Sequence, residues 1–140
     1  MFKRILVAYD GSDGARVALA RGIELAKALG AEVASVSVEE HLPHYAASLS
    51  EVKAAKEQID EYFRRLAKQA RDQAALAGVE LETIVKQGHE VETIVTTARQ
   101  GTFDLLVIGH HGHSRIFERT MGSTAQSIVR LAPCPVLVAK

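Results

Sequence analysis

The segment GHHGHSRIFERTMGSTA, residues 109–125, concentrates the groups of this chain that can do chemistry. It holds three glycines, three histidines, two arginines and a Gly122-Ser123-Thr124 step. Two chemistries compete for it. His110, His111 and His113 carry imidazoles, the commonest metal ligands. Gly109, Gly112, Gly122 and Ser123 are the parts of a phosphate cradle. Against the metal, adjacent loop histidines rarely face one point. No Cys or carboxylate stands nearby at a familiar zinc spacing, since Cys134 and Glu118 are isolated. For the phosphate, Gly109 and Gly112 let the backbone approach a ligand closely. A helix opening at Ser123 presents free N–H groups and a positive dipole end, and Ser123 with Thr124 adds hydroxyl donors. The histidines then read as exposed loop polars, or as donors near phosphate when protonated. The same glycines also serve as ordinary turn and cap devices, so the pattern by itself leaves that alternative open. The segment is not a Walker A loop, because no Lys lies between Gly109 and Ala139. Nor is it G-x-G-x-x-G after a first strand, so neither P-loop hydrolysis nor hydride chemistry is indicated.

Other elements must position this segment. Lys3–Tyr9 is a short β-rich apolar run ended by Asp10-Gly11 turn chemistry. Ser12 is placed to cap a helix whose apolar residues run from Ala15 to Leu29, with Gly30 to end it. Residues 31–38 read as a second strand and 39–50 as a loop containing Pro43. Ser48 and Glu51 fit a capping box for a long helix to about Ala77, with Val52, Ile59, Phe63, Leu66 and Ala70 as its buried stripe. Its mixed-sign outer face reads as a solvated surface. Residues 79–86 read as a third strand, Val91, Ile94, Val95 and Ala98 mark a short helix ending before Gly101, and 104–108 is a continuous apolar run suited to a central parallel strand. A last helix, 123–131, and a last strand, 136–139, close the chain. Strands alternating with helices predict an α/β fold, a parallel sheet with helices on both faces. Ligands in such sheets bind beyond the carboxyl ends of the strands, where strand order reverses. Asp10-Gly11 and Gly109–Gly112 are the two most glycine-rich strand exits, and the rule puts the site across them.

Composition narrows the function classes. A chain of 140 residues suits one domain. Lys+Arg and Asp+Glu each total 17, so the formal net charge is zero. That argues against nucleic acid or an anionic membrane surface as a general partner. One cysteine, Cys134, forbids an intrachain disulfide; flanked by Pro133 and Pro135, it reads as a small buried residue. The first apolar run is too short for a signal core, and no run approaches the roughly 20 residues of a membrane helix. The expected location is cytoplasmic. His41, His44 and His89 are scattered and read as surface residues.

With these residues in place, the chain resembles the universal stress protein family. The family's nucleotide-binding members carry G-x2-G-x9-G-[ST] after the fourth strand. Gly109-x2-Gly112, nine residues, then Gly122-Ser123 fits that pattern without a gap. The opening ILVAYDGS and the closing IVRLAPCPVLVAK are similar to the family's ends, so the likeness covers the whole chain. The resemblance implies an open five-stranded parallel sheet in the order 3-2-1-4-5, a Rossmann-like, adenine nucleotide alpha hydrolase-like fold. It implies ATP bound between strands 1 and 4, often with Mg²⁺ or Mn²⁺, and a homodimer paired through the C-terminal edge strand. Residue by residue, Gly109, Gly112, Gly122, Ser123 and Thr124 would hold phosphates and ribose, with Ile108 and His111 along the same path. Asp10 would lie near the metal or ribose, Ala8 near the base, and Val38 would meet adenine through its backbone. Asp10 is equally a good turn and helix-capping residue. His113 departs from the family, where many members place Arg or Lys; Arg115 or Arg119 is then available to supply charge, or is simply solvated. The function implied is an ATP-dependent regulatory protein of stress response. Alternatives are a slow ATPase or nucleotidyl-transferring enzyme, with Asp10 and His111 or His113 as the best acid–base groups, and a nucleotide-free dimeric adaptor.

Overall fold

The computed structural model describes residues 1–40, 48–111 and 120–140. The elements follow the expected alternation: β1 (Arg4–Ala8), α1 (Asp13–Leu29), β2 (Glu32–Glu39), α2 (Leu49–Leu76), β3 (Leu81–Gln87), α3 (Glu90–Gln100), β4 (Leu105–Gly109), α4 (Ser123–Leu131) and β5 (Val136–Ala139). Five strands pair in parallel in the order β3-β2-β1-β4-β5. The expected sheet order and fold class are therefore observed.

The central strand shows why its sequence is apolar without alternation. Ile5, Leu6 and Val7 are all fully buried, because both faces of β1 are covered. Ile5 and Val7 join one core with Leu19, Ala70 and Leu105. Leu6 points the other way, into a second core with Ile94, Ala98, Leu106 and Ile128. Thus α1 and α2 cover one face, and α3 and α4 the other.

Local signals set the helix ends. The Ser12 Oγ accepts the Ala15 N–H at 3.2 Å, and Gly30 closes α1 in the left-handed region at φ 63°. The Ser48 Oγ accepts the Glu51 N–H at 3.2 Å and starts α2. The expected buried stripe of α2 needs correction. Leu66 and Ala70 are buried, with Ala74 continuing the row, but Ile59 and Phe63 are only partly covered and Val52 is exposed. The sheet lies under the second half of this helix; the first half reaches past it.

Two groups off the strand exits titrate unusually. The Asp104 carboxylate accepts the Arg4 N–H at 2.9 Å and the Lys3 N–H at 2.9 and 3.1 Å, tying the start of β1 to the start of β4. Those backbone bonds hold its pKa below the ordinary value. Cys134 is half-buried rather than buried, and desolvation, with the Asp104 charge second, pushes its thiol pKa up. A raised thiol pKa is the opposite of an activated nucleophile.

Candidate functional site

Strand order reverses between β1 and β4, so the chains leaving those strands diverge to opposite sides. A cleft of about 250 Å³ opens there. It is lined by Ala8, Asp10, Val38, Ile108, Gly109, His111, Gly122, Ser123 and Thr124, every described residue expected at the site. Gly112, His113, Arg115 and Arg119 lie outside the described residues.

The β1 exit is held rigidly. Tyr9 is buried; its N–H donates to the Val36 carbonyl at 2.9 Å and its carbonyl accepts the Ser37 hydroxyl at 2.6 Å. Asp10 then makes the expected turn: its Oδ1 accepts the Ser12 N–H at 2.9 Å. Ser12 in turn caps α1, so a single turn places Asp10 on the cleft and starts the helix behind it.

The β4 exit meets that helix backbone to backbone. A Cβ at Gly109 would stand 2.7 Å from the Gly14 carbonyl carbon and 2.8 Å from its oxygen. A Cβ at Gly14 would overlap the carbonyl oxygen of His111. Two glycines thus let the first turn of α1 pack directly on the strand exit. Gly109 was expected for close approach to a ligand; its closest partner among the described residues is the protein's own backbone.

His110 ties the β4 exit to both β5 and the start of α4. The His110 N–H donates to the Ala139 carbonyl at 2.9 Å, and the His110 carbonyl accepts the Gly122 N–H at 2.8 Å. Gly122 is the N-cap of α4, with no side-chain hydrogen bond capping the helix. The first turn of α4 also contains no acidic residue, whereas α1 has Asp13 and α3 has Glu90 and Glu92. The end of α4 that faces the cleft therefore keeps its positive dipole end uncompensated by its own first turn. Beside it, the buried Nδ1 of His111 has no hydrogen-bond partner among the described residues. A buried ring nitrogen in that state costs free energy unless something else bonds it. The His111 ring meets His110 edge-on, 5.9 Å between centroids.

Much of the remaining wall is apolar: Val36, Ile94, Ala125 and Ile128 join Val38 and Ile108, with Glu90 and Ser12 as polar exceptions. The cleft thus has a polar end at Asp10, His111 and Ser123 and an apolar slot. Sequence reasoning missed Tyr9, Ser12, Ala15, Val36, Glu90, Ile94, Ala125 and Ile128 as lining residues. Ile94 was legible as a buried helix position, but nothing in its spacing separates a cleft wall from a core. Among the described residues, no group of three or more His, Cys, Asp or Glu stands close enough to hold a metal ion.

A sequence model described as the Universal stress protein family matches residues 1–140. The chain is 36% identical over 141 residues to the universal stress protein in QAH/OAS sulfhydrylase 3'region of Thermus aquaticus, covering 100% of both. The fold is like that of universal stress protein UspA from Lactobacillus plantarum, with TM-score 0.85 at 24% identity over 99% of this chain and 98% of that one. It is also similar to a universal stress protein solved in complex with cAMP, with TM-score 0.76, 25% identity, and 99% and 97% coverage.

Proposed function

The chain belongs to the universal stress protein family, and from that premise we propose that its cleft binds an adenine nucleotide, ATP foremost, in a cytoplasmic regulatory homodimer. The observation that carries this reading is the polar end of the cleft. Among the described residues, a helix start with no side-chain cap and no acidic residue, two hydroxyl side chains and a buried imidazole nitrogen without a partner converge there. All are suited to phosphate oxygens. The apolar slot beside them has the chemistry for a planar base, and the cAMP complex of a similar structure supports an adenine ligand.

In this reading Ser123, Thr124 and the N–H groups of the first turn of α4 hold phosphate, with Gly112 contributing backbone from the neighbouring segment. The Nδ1 of His111 donates to a phosphate oxygen or a ribose hydroxyl when it carries the proton. Ala8, Val38 and Ile108 flank the base. Gly122 keeps a side chain out of the path, while Gly109 lets the β4 exit lie against the start of α1. Mg²⁺ or Mn²⁺ fits only as a phosphate-bridged ion: such cations take one or two carboxylates with phosphate oxygens and water. Asp10, at the polar end of the cleft, would supply a carboxylate. Bound so, the ion would offset phosphate charge. ATP occupancy would then order the strand exits and the dimer for a protein partner to read.

Analysis of the small molecule that the protein carries after purification separates this reading from the others. A carried adenine nucleotide that stays intact on long incubation supports a regulator. Sustained phosphate release that is lost in Asp10→Ala would instead favour a slow ATPase. Protein that carries no nucleotide, and takes none up when ATP is supplied, would be the adaptor, and the proposal would be wrong.

A further inference from the structure

The start of α4 is fastened by bonds that leave its first-turn donors free. In α1 and α2 the N-cap serine occupies an N–H of the first turn, Ser12 that of Ala15 and Ser48 that of Glu51. α3 lacks a side-chain cap but carries Glu90 and Glu92 in its first turn. α4 has neither device, and a helix start without a cap frays. Two other bonds hold it. The Gln126 side-chain Nε2 donates to the Met121 carbonyl at 2.6 Å. The Gly122 N–H donates to the His110 carbonyl at 2.8 Å. That carbonyl and that N–H belong to one peptide group and point in opposite directions, so the peptide plane ahead of the helix is gripped from both sides. The Met121 side chain packs against the second core and anchors the same point. Neither bond uses the N–H groups of Ser123, Thr124 and Ala125, which have no partner within the helix. The same end of the cleft holds the His111 Nδ1, buried and without a partner among the described residues. Gln126 itself is exposed and does not line the cleft.

We infer that Gln126 is a positioning residue for the nucleotide site. With His110 it clamps the Met121–Gly122 peptide and so aims the N–H groups of the first turn of α4 into the cleft, in place of a cap that would occupy them. The inference rests on the proposed nucleotide reading and adds to it how the phosphate end keeps its shape before a ligand arrives. Preorganised donors of this kind need no ordering when the anion binds.

The test is equilibrium titration of the wild type, Gln126→Met and Gln126→Ala with adenosine and with ATP, joined to amide hydrogen exchange of the ligand-free proteins. Gln126 is exposed, and Met and Ala are at least as good helix formers as Gln. Both variants are therefore expected to fold, with urea midpoints near that of the wild type. Both should bind adenosine as the wild type does and bind ATP roughly three- to tenfold more weakly, the range of one neutral hydrogen bond. Exchange at the Gly122 amide should speed up in both, since one side of its clamp is gone. An unchanged ratio of ATP to adenosine affinity in the variants overturns the inference. Equal weakening of the two ligands gives that same ratio and marks general loosening instead of a misplaced phosphate end. Gly122 exchange that stays at the wild-type rate in both variants overturns it as well. A wild type that binds neither adenosine nor ATP overturns the proposed function along with it, whereas each of the other contrary results leaves that function standing and removes Gln126 alone.

Discussion

At Gly14 the first turn of α1 lies so close to the β4 exit that a methyl group would enter the carbonyl oxygen of His111. Backbone, unlike a flexible side chain, cannot yield locally, so Gly14→Ala should push the two segments apart. Overpacking of this kind costs roughly 1–3 kcal/mol, readable as a lowered urea midpoint, and it should weaken ligand binding because His111 moves with its carbonyl. An unchanged midpoint would refute the contact. Asp104 acts at the other end of the same strands. Its folded pKa lies below the ordinary 3.8, so its contribution to stability is present above about pH 4 and is lost as pH falls through the folded value. Asp104→Asn should therefore be less stable than wild type at pH 7, with the gap narrowing by pH 3 in urea titrations. A gap that is constant with pH would sever the link to the carboxylate. That Gly109 and Gly122 stand on the cleft was legible from sequence because their spacing follows a recurring pattern. Gly14 was not, since it matters only through His111, nearly a hundred positions away.

The long helix α2 shows what periodicity can and cannot say. The apolar stripe from Val52 to Ala70 is real, yet it is buried only where the sheet lies beneath it. A period reports which face is apolar, not how far neighbours extend along it. Leu66 is buried and its Cδ2 would stand 2.7 Å from a Cβ at Gly11, so it wedges α2 against the β1 exit. Leu66→Ala should cost about 2–5 kcal/mol, while Val52→Ala should stay within about 0.5 kcal/mol. Comparable losses from both in chemical denaturation would contradict the anchoring of α2 by its second half. Strand positions were legible to within a residue or two, as at β4, read as 104–108 and found at Leu105–Gly109. The alternation of strand and helix gave the α/β class by physics. The order 3-2-1-4-5 came through resemblance, because local pattern does not encode which strands lie side by side.

For the whole molecule, β5 is an edge strand with Leu137 exposed, and Val129 and Leu131 of α4 are exposed as well. An apolar edge of this kind favours pairing, and the proposed homodimer would cover it. Leu137→Glu should shift sedimentation velocity toward the monomer; a wild type that sediments as a monomer at every concentration would remove the dimer from the account. No described helix is long and apolar enough to cross a membrane, and zero formal charge over 140 residues supplies no general attraction to nucleic acid. What remains is a cleft at the reversal of strand order, polar at one end and apolar along its length. Its central test is isothermal titration of wild-type protein with ATP, beside a folded Gly122→Val variant whose side chain would obstruct the start of α4. The account predicts a dissociation constant well below millimolar for the wild type and at least a roughly tenfold loss in the variant. No measurable affinity below millimolar in the wild type, or equal affinity in both proteins, would contradict it.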